Sequence, residues 1–344
     1  MRYTCIDTFS GAGGLSLGLQ KAGFEILYSL DIDQKSIETQ KRNSKYFNHF
    51  ADTLDIIQFD PVKILEQINL KKGELTLFSG GPPCQGFSIQ RIGVDEDERN
   101  NLVLLFMEKM VQLSPRFFLM ENVPGIKGKR GKKILKGALE YAKDNGYLIH
   151  QKILNAQDYG IPQRRKRLIV VGEKNEGASK FQFPTPSKSY KTVRETIYDL
   201  PEPPEDGTDH PDFVHHRRDK LSAINLERIK AVDQGQGMQF LPEYLLADCH
   251  KVGASKIGHR NVYGRMHWDK PSPTITARFD SFTRGLFGHP EQNRSISLRE
   301  GALLQTFPED FIFTGNKVDV ARQIGNAVPS KLAYQIGKQI LKAI

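Results

Sequence analysis

An α/β fold with a largely parallel sheet is what the sequence predicts, and three observations carry that expectation. Short apolar runs alternate with helix-period patterns through the first half of the chain. Glycine, cysteine and acidic residues stand directly after the apolar runs, where turns at the carboxyl ends of strands belong. The alternation stops after Gly172, and prolines become frequent.

In order, residues 3–9 read as a strand and residues 16–22 as the start of a helix. A strand over 26–30 is followed by a helix from about Gln34, and residues 75–78 form the next strand. Leu102, Phe106, Met110 and Leu113 recur at helical spacing. Residues 116–120 read as a strand, 134–143 as a helix and 168–171 as a buried strand. The segment to about Phe287 is irregular and rich in His, Arg, Gly and Asp, and regular patterning returns near Leu298. The last helix, with Ser330 as its N-cap, places Leu332, Ile336 and Ile340 on one face. The expected layout is a first domain over 1–180 completed by 323–344, with a smaller domain over 181–322 between them.

At 344 residues the chain is long for one core, which fits two domains. A net charge of +9 favours a polyanionic partner, with a merely basic enzyme as the alternative. Cys5, Cys84 and Cys249 are odd in number and far apart, so no disulfide framework is expected and a reducing compartment is. The N-terminus lacks the apolar core of a signal peptide, and no apolar stretch approaches the roughly 18 residues of a membrane span. The expected location is the cytoplasm.

Three turns carry chemistry. "DTFSGAGGLSLGL" from Asp7 joins a strand to a helix through Gly11, Gly13 and Gly14, which lets backbone approach a ligand at a helix N-terminus. Asp31 ends the second strand, where a carboxylate can accept from ribose hydroxyls, and Asp52 could hold an adenine amino group. The spacing is not G-x-G-x-x-G, so NAD is not the first choice. In "SGGPPCQGFS", Pro82 and Pro83 stiffen the backbone before Cys84. Cys84 is either a nucleophile or a small apolar residue in a tight turn. In "MENVPG", Glu121 follows the run RFFLM and either donates a proton to a bound group or caps a turn. In "QRRKR", Arg165 and Arg167 share a side if the segment is extended, and the run is otherwise a solvated face.

Taken together, "FSGAGGLSLG", "GGPPCQGFS", "ENV", "QRRKR", "LREGALLQTFP" and "IGNAVP" resemble the cytosine-5 DNA methyltransferase family, motif by motif and in order. The resemblance implies a Rossmann-like S-adenosylmethionine-dependent methyltransferase sheet with helices on both faces, plus a smaller irregular target-recognition domain. It implies S-adenosylmethionine as cofactor, lined by Phe9, Gly11, Gly13 and Leu15, with Asp31 on the ribose and Asp52 on the adenine. Leu102, Asn326 and Val328 would close that pocket. Cys84 would add to C6 of a flipped-out cytosine in double-stranded DNA, and Glu121 would bind N3 and the exocyclic amine. Arg165 would sit by the base and Arg167 would support the carboxylate. Gln85, Gln163 and Thr274 are implied at the DNA, and residues 85–100 as a loop closing over it. Residues 127–133, "KGKRGKK", are either a phosphate contact or a solvated loop. Between the motifs, Arg217, Arg218, Arg260, Arg265, Arg278, Arg284, His215, His216 and Asn261 are the pool for base or phosphate contacts. A modification-type bacterial enzyme, monomeric, with a cognate restriction endonuclease for the same site, is the implied setting. No metal is expected.

Other readings fit less well. A methylase of exocyclic amines would carry an aromatic where Cys84 stands. A zinc deaminase needs P-C-x-x-C, and Phe87 falls where its second cysteine belongs. The family's tRNA-methylating branch carries Cys-Phe-Thr, whereas Cys249 is followed by His250 and Lys251. A catalytically silent DNA-binding relative would lack Cys84, Glu121 or the glycines.

Overall fold

The computed structural model describes residues 2–83, 102–129, 131–251 and 261–344, the side chain of Cys249 excepted. The chain forms two compact units. The first comprises Met1–Asn155, Lys166–Pro186 and Val328–Ile344, and the second Ala156–Arg165 and Ser187–Ala327.

The first unit is a seven-stranded sheet in the order β3-β2-β1-β4-β5-β7-β6. Its strands are β1 (Thr4–Thr8), β2 (Glu25–Asp31), β3 (Phe50–Thr53), β4 (Leu77–Gly80), β5 (Phe117–Asn122), β6 (Tyr147–Asn155) and β7 (Lys166–Lys174). Strands β1 to β5 run parallel, and β7 lies antiparallel to both β5 and β6. The chain winds outward to β3 on one side of β1 and to β5 on the other. The order reverses between β1 and β4, which opens a ligand crevice beyond their carboxyl ends.

Among the described residues, the helices of these crossovers are α1 (Gly14–Ala22), α2 (Gln34–Arg42), α3 (Pro61–Gln67), α4 (Leu102–Leu113) and α5 (Lys132–Asp144). Helix α4 buries Val103, Phe106, Met107, Met110 and Leu113, one face at helical period. Its Phe106 ring meets Phe78 of β4 at 4.9 Å between centroids and Phe118 of β5 at 6.5 Å. This aromatic column anchors the two strands that lead to the cysteine and glutamate turns.

Strand β6 has no counterpart in the sequence reading. It is an edge strand with Gln151, Lys152 and Ile153 exposed, so its nine residues carry no clean two-residue period. Its partner β7 starts at Lys166, two residues earlier than the apolar run suggests, and so takes in Arg167.

The second unit contains α6 (Arg194–Ile197), α7 (Ala223–Lys230), α8 (Asp248–Lys251), α9 (Leu298–Leu304) and α10 (Lys317–Asn326). Among its described residues, β pairing is limited to isolated bridges. Carbonyls that a ladder would satisfy therefore need other donors. Buried arginines supply them, each with up to five N–H groups. Arg265 donates to the carbonyls of Ile229, Val232, His289 and Gln292, and Arg299 to those of Val214 and Phe311.

The chain returns to the first unit in α11 (Ser330–Ala343), where Leu332, Ile336 and Ile340 are fully buried as the period predicts. Ser330 is the first helical residue and Pro329 occupies the cap position. The proline's fixed φ starts the turn, and its carbonyl accepts from Leu332 and Ala333. Helix α11 packs backbone to backbone on α1: a Cβ at Gly18 would lie 2.1 Å from the Ser330 carbonyl oxygen. Among the described residues no helix is long and apolar enough to cross a membrane.

Candidate active site

One corner of the crevice is built on the turn after β1. Phe9, Gly11 and Gly13 all have positive φ, at 53°, 52° and 85°. A Cβ at Gly13 would strike the Phe47 ring at 2.5 Å, whereas one at Gly11 would meet nothing within 4 Å. The turn is thus packed from behind at Gly13 and open at Gly11. Gly13 is the N-cap of α1 and supplies no side-chain cap; Asp7 takes the Ser16 N–H from within the sheet, which leaves the N–H groups of Gly14 and Leu15 at the helix start to face an anionic ligand. Asp31 Oδ2 accepts from the Gly11 N–H at 2.8 Å and Oδ1 from the Asp33 N–H at 2.8 Å, which fixes the carboxylate at the mouth of the turn. On the neighbouring strand, Asp52 Oδ2 accepts from the Tyr28 hydroxyl at 2.7 Å. Burial and the Asp52 charge together raise the Tyr28 pKa. Ile32, next to Asp31, is 70% exposed. An apolar side chain so exposed beside a ribose-type carboxylate is a ready platform for a flat heterocycle, and the sequence reading missed it. Its signal was an isoleucine placed after the strand rather than in it.

Phe9 and Leu102 are half-buried and pack against the main core, while Leu15 is buried and offers the site its backbone. Val328 is buried where the chain re-enters the first unit, and Asn326 ends α10 in the second. Open glycine, uncapped helix, positioned carboxylate and exposed isoleucine fit S-adenosylmethionine, whose amino-acid end is charged and whose adenosine end is flat and hydroxylated.

Beneath the turn, Asp7 of β1 is fully buried and accepts from Ser16 Oγ of α1 at 2.5 Å and Ser79 Oγ of β4 at 2.8 Å. Burial pushes its pKa up to about 6, against the pull of those two hydroxyls. Asp7 therefore joins the helix behind the glycine turn to the strand that leads to the cysteine turn.

The second corner lies beyond β4 and β5. The described chain reaches Pro83, so Cys84 and Gln85 lie outside the described residues. Glu121 stands near the end of β5, and a Cβ at Gly81 would lie 3.4 Å from its Oε2, so the carboxylate rests against the cysteine turn. Arg167 Nε lies 2.7 Å from Glu121 Oε1, both side chains being largely buried. Asn122, quoted in "ENV" but given no role by the sequence, donates from Nδ2 to the Pro82 carbonyl at 3.0 Å and ties the two turns together.

Several expected contacts differ. Arg165, expected beside the base, is 1% exposed, and its guanidinium donates to the carbonyls of Ile275, Gly325 and Ala327. Gln163, expected at the DNA, is fully buried, donating to Leu304 O and Gln305 Oε1 and accepting from the Ile275 N–H. Thr274 Oγ1 donates to the Arg164 carbonyl at 2.6 Å. All three knit the irregular second unit, for the same reason that its arginines do. Of the pool for base contacts, Arg265 and His216 are buried and hydrogen-bonded, His215 Nε2 accepts from the Phe313 N–H, and Arg218 pairs with Glu202 and Glu205. Arg278 pairs with Asp280 while Arg284 and Asn261 are exposed. Arg217 is half-buried, and Arg260 lies outside the described residues. No group of metal-ligating side chains occurs among the described residues.

The family model for C-5 cytosine-specific DNA methylases matches residues 3–342. The Type II methyltransferase M1.HphI of Haemophilus parahaemolyticus is 36% identical, covering 99% of this chain and 87% of its own length. The Type II methylase M.HgiDII of Herpetosiphon aurantiacus is 34% identical over 97% of this chain and 94% of its own. Among solved structures, a candidate DNA modification methyltransferase encoded within an E. coli prophage superposes with a TM-score of 0.77 at 26% identity, covering 99% of each chain. The Entamoeba histolytica methyltransferase EhMeth shares the fold at 17% identity, with a TM-score of 0.68 and coverage of 99% of this chain and 98% of its own.

Proposed function

Given that the chain belongs to the C-5 cytosine-specific DNA methylase family and so transfers a methyl group from S-adenosylmethionine to C5 of cytosine in DNA, we propose that Cys84 attacks C6 of a flipped-out cytosine while Glu121 grips the ring edge. The observation that carries this reading is the Glu121 carboxylate, paired with Arg167 at 2.7 Å and resting against Gly81, three residues before Cys84. The target carbon is inaccessible inside a duplex, so the base leaves the stack. The Cys84 thiolate adds to C6, which makes C5 electron-rich. Glu121 holds N3 and the exocyclic amine as the ring gains charge, and Arg167 fixes the carboxylate's direction. S-adenosylmethionine supplies the electrophilic methyl group. Loss of the C5 proton then expels Cys84. Arg165 acts at one remove, by holding main chain of the second unit.

The cofactor is held by Phe9, Gly11, Gly13 and Asp31, with Ile32 and Asp52 at the adenine and Leu102 and Val328 closing the pocket. The second unit reads a specific duplex sequence. A restriction endonuclease of the same specificity is the partner, and the enzyme works as a cytoplasmic monomer. Expression in cells without cytosine methylation, followed by sequencing for 5-methylcytosine, tests the proposal. Modified cytosine at one recurring sequence is expected, and unmodified DNA would refute it.

Glu121→Gln keeps the shape but removes both the charge and the proton-holding group. Single-turnover methyl transfer slows roughly 10²-fold or more, within the range of acid–base groups, with cofactor affinity nearly unchanged. A near-native rate would remove Glu121 from the chemistry. Exchanging residues 192–270 for the matching segment of a relative with another target should give a folded chimera that still methylates C5, now at the donor's sequence. Discrimination set at about 1–3 kcal/mol per base contact would move with the segment. Retention of the original site would place recognition elsewhere.

A further inference from the structure

Helix α2, QKSIETQKR, has Ile37 as its one apolar residue, and it also buries Gln40 fully. A buried amide is costly unless every group is paired, and this one is. Its Oε1 accepts from Ser29 Oγ at 2.8 Å and lies 3.2 Å from His49 Nε2. Its Nε2 donates to Ser10 Oγ at 2.9 Å and to the Gly11 carbonyl at 2.7 Å. Because Gly11 O can only accept, the amide nitrogen faces the turn.

Across the turn it grips, the Gly13 N–H donates to the Ser10 carbonyl at 2.9 Å, and the residues around that bond need outside partners. Phe9 is a non-glycine residue in the left-handed region, a conformation that persists only where the surroundings impose it. Gly11 is the most permissive residue type, and the space around its missing side chain is open, so packing does not fix it. Two hydrogen bonds clamp it: Asp31 takes its N–H and Gln40 its carbonyl. Asp31 faces the ligand as well, so Gln40 is the member of the clamp that stands wholly behind the turn. His49 and Ser29 in turn hold the Gln40 oxygen, and His49 Nε2 carries the proton for that contact.

We propose that Gln40 is a positioning residue for the cofactor: by holding the Gly11 carbonyl it sets the turn that receives S-adenosylmethionine. This rests on the glycine turn being the cofactor site. Gln40→Leu removes all its polar contacts. Gln40→Glu keeps the size but sets a carboxylate against the Gly11 carbonyl in place of a donor. Calorimetric titration with S-adenosylhomocysteine should show affinity reduced about tenfold or more in both, the effect of one or two lost hydrogen bonds. Duplex DNA affinity, measured on the same preparations, should change less than about threefold, which separates positioning from general damage. Should Gln40→Leu fail to fold, Gln40→Glu decides. Unchanged cofactor affinity in a folded Gln40 variant overturns the proposal, as does an equal loss of DNA affinity. Asp31→Ala is the companion arm. If it weakens the cofactor while the Gln40 variants do not, only the role of Gln40 falls. If Asp31→Ala binds normally too, the site itself is misplaced and the proposal falls with it.

Discussion

Replacing Cys84 by serine leaves methyl transfer on the order of 10⁴-fold or more below the native rate, the scale seen when a nucleophile is removed from a site that otherwise still binds its substrate. The hydroxyl is a far weaker nucleophile at neutral pH than a thiolate, and no other group among those proposed can add to C6. The decisive measurement uses duplex DNA with 5-fluorocytosine at the target. Fluorine in place of the C5 proton blocks the elimination that frees the cysteine, so the native chain stays bound through denaturing electrophoresis. The serine variant should give no such band while its DNA and cofactor affinities stay close to native. A covalent band of equal yield from Cys84→Ser would assign the nucleophile to another residue. Asn122 holds the Pro82 carbonyl, two residues before Cys84, so the backbone leading to the nucleophile is fixed before the base arrives.

The second large effect is on stability. Arg294 makes a bidentate pair with Glu300 at 2.8 and 2.7 Å, both side chains being 1% exposed. Glu300 also closes the capping box of α9 by accepting from the Ser297 N–H at 2.6 Å. Burial disfavours its carboxylate, but Arg294 more than offsets this and holds the pKa down to about 2. A folded pKa below the unfolded one contributes stability that is present above about 4.5 and lost as pH falls toward 2. Glu300→Gln at pH 7 therefore forfeits it and strands a buried guanidinium, at a cost of about 3–5 kcal/mol. A melting temperature within about 2 °C of native would refute this, since a loss of that size should shift it by several degrees. Replacing both partners by apolar residues should recover much of the loss. Acid acts earlier than the pair. Burial lowers His49, His215 and His289 each to about 4, so their contribution is lost as pH falls from about 6.5 to about 4. Asp7, raised to about 6, works the other way, its contribution being present below about 3.8 and lost as pH rises through 6. Three groups against one leave a net loss of melting temperature on acidification from pH 7 to 4, while Glu300 is still ionised.

The sheet was legible because its central strands are buried on both faces and some read as plain apolar runs, as FFLM in β5 does. The glycine turn and Glu121 were legible because each follows such a run. Strand β6 was not, because an edge strand is exposed along its middle. Arg165 and Gln163 were misplaced for a reason local to the second unit. Their side chains stand in for absent ladders, and sequence does not reveal which polar groups will be turned inward when regular pairing is missing. Gln40 and Asn122 were invisible as site residues because the bonds that tie them to the turns at Gly11 and Pro82 go to main-chain carbonyls, which carry no sequence identity.

The backbone-close seating of α11 on α1 has a consequence in time. On the ribosome, α1 emerges before any of the second unit, but its partner emerges only after the whole of that unit, Ala156–Arg165 and Ser187–Ala327, has been made. Until then the nascent sheet carries an uncovered helix face beside its glycine turn, and that turn lacks the helix that backs α1. The half-made enzyme cannot yet consolidate its cofactor corner. Completion of the first unit thus comes last, after every residue of the second unit has been made.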